Sequence, residues 1–123
     1  MYKVGIVGYG TIGKRVADAV MRQKDMQLIG ITARKHNYRV EIAKKKGIDI
    51  YAMDDITELC EHGIKIKGSL RNLLSQIDVV VDCTPKEIAR KNKKKHYDTY
   101  PNLKAIYQGG EKADMGQSFV AQC

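Results

Sequence analysis

Apolar residues along the chain switch between strand-like runs and helical spacing. Val4-Gly5-Ile6-Val7 is a short apolar run of the buried-strand kind. Ile12, Val16 and Val20 then recur at helical intervals. Ala17 and Met21 join their face and Lys14, Arg15, Asp18 and Arg22 oppose it, which predicts an amphipathic helix over Lys14 to Arg22. Leu28 to Thr32 predicts a second strand, parallel to the first because a crossover helix lies between them.

The same switching continues. A helix is predicted over Tyr38 to Lys46, between an N-cap at Asn37 and a stop at Gly47, followed by a strand over Ile48 to Ala52. Asp54 and Asp55 open a helix that carries Ile56, Leu59 and Cys60 and closes at Gly63. Ile64 to Lys67, apolar on one face and lysine on the other, reads as a protected edge strand. Ser69 caps a helix bearing Leu70, Leu73 and Leu74. Ile77 to Cys83, nearly continuous in valine, reads as a central strand that Thr84 and Pro85 terminate before a helix from Lys86 to about Tyr97. Leu103 to Tyr107 is a further strand, and Phe119-Val120-Ala121 suggests one more. The series predicts a single α/β domain over residues 1–123, built on a Rossmann-like, doubly wound, mainly parallel sheet.

The turn after the first strand carries the chemistry. Gly8, Gly10 and Gly13 stand at the spacing G-x-G-x-x-G between a predicted strand and a predicted helix. Gly8 allows a sharp turn, Gly10 allows close approach to a pyrophosphate, and Gly13 allows tight helix-strand packing. The unpaired amides of the first helical turn, around Thr11 and Ile12, then form an anion site. Alone, such a motif can be no more than a glycine-rich turn; its strand-helix setting makes dinucleotide binding the expectation.

The end of the second strand bears on which dinucleotide. NAD-specific units commonly place an acidic residue about 20 positions beyond the glycines, on the adenosine ribose. Here Ala33, Arg34, Lys35 and His36 occupy that stretch. Arg34 and Lys35 could bind a 2′-phosphate through charge-assisted hydrogen bonds worth roughly 1.5 to 3 kcal/mol each, so NADP is expected ahead of NAD. The competing reading is a solvated basic loop. Thr84 and Pro85, at the carboxyl end of a central strand, are candidate cofactor-wall residues or simply a strand stop. Gly109 and Gly110, in the turn Gln108-Gly109-Gly110-Glu111-Lys112, are candidates for main-chain contact with the cofactor or an ordinary loop.

Charge narrows the partners without changing this picture. With 22 Lys and Arg against 14 Asp and Glu, the net charge of +8 favours anionic ligands. Nucleic acid is not expected, because no nucleic-acid fold signature accompanies the charge. Lys44-Lys45-Lys46 and Lys93-Lys94-Lys95 read as solvated helix ends. No apolar run approaches a membrane span of about 20 residues and no signal-peptide pattern opens the chain, so a soluble, cytoplasmic protein is expected. Cys60, Cys83 and Cys123, with His36, His62 and His96, lack ligand spacing, and no metal is expected.

Three blocks together carry a family resemblance. Gly8-Tyr9-Gly10-Thr11-Ile12-Gly13-Lys14-Arg15 and the residues on to Ala19, then Asp82-Cys83-Thr84-Pro85, then Gln108 to Ala113 with Ser118 to Gln122, resemble the N-terminal part of the archaeal type of phosphorylating glyceraldehyde-3-phosphate dehydrogenase. The likeness extends over essentially the whole chain. It implies a cofactor domain followed by a catalytic domain, a homotetramer, and use of NADP or NAD. It also implies pyrophosphate contacts at Thr11 and Ile12, a 2′-phosphate at Arg34 and Lys35, and a main-chain contact at Gly110. Val7 replaces an Asn usual before the first glycine, and Ala33 and Arg34 replace a frequent Lys and Thr. In the family, a cysteine in a Ser-Cys-Asn-Thr-Thr segment attacks the aldehyde and a hydride passes to the nicotinamide. These 123 residues contain no such segment, so the implied part is a cofactor-binding domain, cut short of the catalytic one and without a catalytic residue of its own. Two alternatives stay open: a stand-alone NADP-binding sensor or regulatory module, and the cofactor domain of another Rossmann oxidoreductase such as a semialdehyde dehydrogenase.

Overall fold

The computed structural model describes residues 1–53 and 56–108. They form six parallel strands: β1 (Tyr2–Val7), β2 (Met26–Ala33), β3 (Ile50–Ala52), β4 (Ile66–Ser69), β5 (Val79–Asp82) and β6 (Lys104–Tyr107). Their order across the sheet is β4-β3-β2-β1-β5-β6. The chain therefore winds outward from β1 on one side, returns, and winds outward again on the other. That reversal opens a crevice between the carboxyl ends of β1 and β5.

Helices pack on both faces of the sheet, whose central strands β1 and β5 send apolar side chains to each side. On one face Ile6, Ile31, Ile50 and Val81 pack with Ala17 and Val20 of α1 (Thr11–Arg22), Val40 and Ala43 of α2 (Tyr38–Lys45), and Leu59 of α3 (Thr57–Glu61). On the other, Val7, Tyr51 and Val80 pack with Leu70, Leu73 and Leu74 of α4 (Leu70–Leu74) and Ala89 of α5 (Lys86–Lys95). Two predicted caps are realised: the Asn37 side chain accepts from the Val40 amide, and Ser69 and Asn72 form a reciprocal capping box. The strand Ile64 to Lys67 is indeed the sheet edge, displaced by two residues to Ile66–Ser69.

That displacement, and the matching one of β3 from Ile48 to Ile50, has a common cause. After α2, the Gly47 amide bonds Lys44 O at 3.1 Å and the Ile48 amide bonds Ala43 O at 3.0 Å. After α3, Gly63 bonds Cys60 O at 3.1 Å and Ile64 bonds Leu59 O at 2.9 Å. Both are Schellman closures, with Gly47 and Gly63 at φ of 75° and 76°. Each isoleucine is spent on finishing a helix before its strand begins, though its apolar side chain imitates the strand alternation. α5 stops at Lys95, short of Tyr97, because residues Tyr97–Thr99 tighten into a 3-10 turn that buries the Tyr97 ring. The sequence-predicted helix start at Asp54 and Asp55, the turn at Gly109 and Gly110 and the strand at Phe119 to Ala121 lie outside the described residues.

Candidate functional site

The crevice at the sheet's reversal is a hollow of about 290 Å³, at the small end of the range for ligand pockets. Its floor and one wall come from the turn after β1, with Gly8, Tyr9 and Gly10, and from Thr84 after β5. The opposite wall follows β2, with Ala33, Arg34 and Lys35, and continues into α2 through Asn37, Arg39 and Val40. A larger apolar hollow of about 560 Å³ lies over one face of β1, β5 and β6. It is sheet surface, lined chiefly by valine, isoleucine and methionine, and has none of the convergent polar groups that mark the crevice.

Each glycine of the first turn meets a different constraint. Gly8 has φ of 90°, and its amide donates to Thr32 Oγ1 at 3.1 Å, tying the turn to the end of β2. A Cβ on Gly13 would sit 2.0 Å from the Gly8 carbonyl oxygen, so only glycine lets α1 start this close to β1. Among the described residues, a Cβ on Gly10 would meet nothing within 4 Å. The described part of the fold does not demand glycine there. Gly10 is also the N-cap of α1, supplies no capping side chain, and precedes a first turn without an acidic residue. The first amides of α1 are left for another acceptor. A backbone cradle without Cβ, bare helix amides and three cations on the facing rim fit the phosphates of a dinucleotide.

The wall formed after β5 is organised by Asp82, which is fully buried. Its Oδ1 accepts from the Thr84 amide at 2.9 Å and from the Thr84 hydroxyl; its Oδ2 accepts from Asn92 Nδ2 at 3.0 Å and from the Tyr97 hydroxyl. Burial, and then the neighbouring Asp82 carboxylate, push the Tyr97 phenol far above its ordinary range, so it stays a donor. The Cys83 amide donates to Val7 O at 2.8 Å, locking β5 to β1 beneath the crevice. Behind the opposite wall, Asp18 on α1 pairs with Lys46 at 2.7 Å and Lys14 at 3.3 Å, and the bond from Lys46 leads in holding its carboxyl below the ordinary 3.8. His36 Nε2 lies 2.7 Å from Glu41 Oε2, and the His36 ring stacks on His62 at 4.0 Å.

Of the sequence-predicted positions, Gly8, Gly10, Arg34, Lys35 and Thr84 converge on this crevice. Thr11 and Ile12 are exposed at the start of α1, Gly13 is buried beneath the turn, and Pro85 is the exposed N-cap of α5; none of these lines the hollow. Gly109 and Gly110 lie outside the described residues. Arg39 was missed. It shares a helix with a predicted N-cap, but nothing in its local sequence says that it folds back toward α1. Asn92 and Tyr97 were missed as well, because their link to Asp82 depends on where the 3-10 turn places the ring. Among the described residues, no three His, Cys, Asp or Glu side chains converge as a metal site, and no helix is long and apolar enough to cross a membrane.

A family model described as dihydrodipicolinate reductase, N-terminus, matches residues 2–103. Among curated proteins, the chain is 48% identical over 122 residues to a glyceraldehyde-3-phosphate dehydrogenase of Methanobacterium formicicum, covering 97% of this chain and 36% of that protein. It is 47% identical over 123 residues to the enzyme of the same name from Pyrococcus furiosus, with 98% and 36% covered. For the one from Pyrobaculum calidifontis the identity is 42% over 118 residues, with 95% and 34% covered. The chain thus spans about a third of the length of these relatives. Among solved structures, saccharopine dehydrogenase (L-Glu forming) from Saccharomyces cerevisiae aligns with a TM-score of 0.56 at 18% identity, over 87% of this chain and 21% of that one. A C. glutamicum DAP dehydrogenase in complex with DAP aligns at 0.51 and 21% identity, over 86% and 26%. At these identities the two share the fold.

Proposed function

The chain belongs to the family described as dihydrodipicolinate reductase, N-terminus, and from that premise we propose that it is the NADP-preferring cofactor-binding part of a phosphorylating glyceraldehyde-3-phosphate dehydrogenase. The family fixes a dinucleotide-binding domain of the oxidoreductase kind. The narrower assignment draws support from relatives that are 42% to 49% identical across nearly the whole chain and carry that enzyme's name. The whole protein would convert glyceraldehyde 3-phosphate to 1,3-bisphosphoglycerate, as a cytoplasmic homotetramer. This chain would supply the cofactor site, with the nucleophilic cysteine lying beyond these 123 residues, so that alone it binds without turnover.

One observation carries the cofactor reading. A glycine turn with bare helix amides faces a rim bearing Arg34, Lys35 and Arg39, and among the described residues no carboxylate lines the crevice between them. When bound, the dinucleotide supplies the hydride acceptor. The residues here bind and orient it: the turn at Gly8 and Gly10 takes the pyrophosphate, Arg34 and Lys35 take the 2′-phosphate, and Thr84 closes the inner wall. NAD lacks the group that Arg34 and Lys35 address, so it binds more weakly at the same place. Titrating NADP and NAD into the chain and its Arg34→Ala variant tests this. The expected loss is about tenfold or more for NADP, ~1.4 kcal/mol, with NAD changed little; equal losses for both would reject the preference.

A further inference from the structure

Arg39 is placed beside the start of α1, where a positive charge is of the wrong sign for the helix. It lies in the first turn of α2, and its Nη2 donates to Thr11 Oγ1 at 2.9 Å, across 28 positions of sequence. Its guanidinium carbon stands 4.8 Å from the centroid of the Tyr38 ring, which is itself 65% exposed. Hydroxyl and ring together hold the fork at the first residue of α1. The start of a helix carries partial positive charge from its unsatisfied amides, and a cation there is unfavourable. Among the described residues no acidic side chain offsets it. α1 has no acidic residue in its first turn and no capping side chain. Asp18 is engaged by Lys14 and Lys46, Glu41 by His36, and among the described residues no carboxylate bonds Arg39. An anion between the α1 amides and the guanidinium would turn this repulsion into attraction from both sides.

We infer that Arg39 is a side-chain clamp for the pyrophosphate, the group common to NADP and NAD, while Arg34 and Lys35 serve the 2′-phosphate. The division follows from position. Arg34 and Lys35 extend from the end of β2, where the adenosine ribose of a dinucleotide lies, whereas the Arg39 fork sits at Thr11, against the amides that would hold the pyrophosphate. A planar guanidinium can meet two phosphate oxygens at once, which an ammonium cannot. Arg39 thus sets the affinity for any dinucleotide and contributes nothing to the choice between two. This inference rests on the cofactor reading proposed above.

The test is titration of NADP and NAD into the unaltered chain, Arg39→Ala and Arg39→Lys, with melting curves for each. Arg39→Ala is expected to weaken both nucleotides by the same factor, about tenfold, and to melt within ~2 °C of the parent. Arg39→Lys keeps the charge but loses the fork, and is expected to weaken both equally, about two- to fivefold. It decides the matter if the alanine variant unfolds. A loss confined to NADP would overturn the inference by moving Arg39 to the ribose phosphate, and unchanged binding of both would overturn it as well. An unaltered chain that bound neither nucleotide would instead sink the cofactor reading itself.

Discussion

The turns that follow β1 and β5 lie side by side at the mouth of one crevice, and they are built in opposite ways. The first is almost without side chains. Gly10 caps α1 with no side-chain bond, no described residue stands within 4 Å of where its Cβ would be, and the first amides of the helix await an acceptor. The second is saturated. Asp82 takes four donors from Thr84, Asn92 and Tyr97, and Pro85 starts α5 with no N–H to offer. Both turns end central parallel strands, so position in the sheet does not separate them. What separates them is where their hydrogen bonds go: one turn leaves donors for a ligand, and the other spends them inside the protein to make a rigid wall.

The sharpest way to break the contrast is to empty the saturated turn. Asp82→Ala would leave Asn92, Tyr97 and Thr84 as donors without their acceptor in a buried site. About 3 to 5 kcal/mol of stability should be lost, read by urea unfolding. A loss below ~1 kcal/mol would mean that the carboxylate does not hold the wall together. The bare turn should respond in the opposite sense. Gly10→Ala adds a methyl to open space, so unfolding stability should change by no more than ~1 kcal/mol. NADP affinity should still fall about tenfold or more, since the methyl occupies the approach to the turn. Normal binding by this variant would remove the turn from the site.

Much of this layout is legible in the amino-acid sequence. The order of strand and helix, the edge position of the lysine-faced strand and the caps at Asn37 and Ser69 follow from patterns within each segment, and at the caps the neighbours in sequence are also the partners in space. Two kinds of feature were not legible. Ile48 and Ile64 have the alternation of strand residues while serving helix closure, because apolar packing and strand pairing make the same demand on a side chain. Arg39, Asn92 and Tyr97 act across gaps of 28, 10 and 15 residues, and no periodicity signals such contacts. The missed residues are therefore those whose roles depend on tertiary contact: Arg39 and Asn92 sit on foreseen helices, while Tyr97 sits in a 3-10 turn where the helix was expected to continue.

The central proposal is that the crevice between β1 and β5 holds a dinucleotide and favours the one with a 2′-phosphate. Calorimetric titration of the unaltered chain with NADP and with NAD addresses it directly. One site per chain is predicted, with NADP bound about tenfold more tightly at low salt and the margin shrinking as salt screens Arg34 and Lys35. Absence of binding by either nucleotide, or tighter binding of NAD, would contradict it.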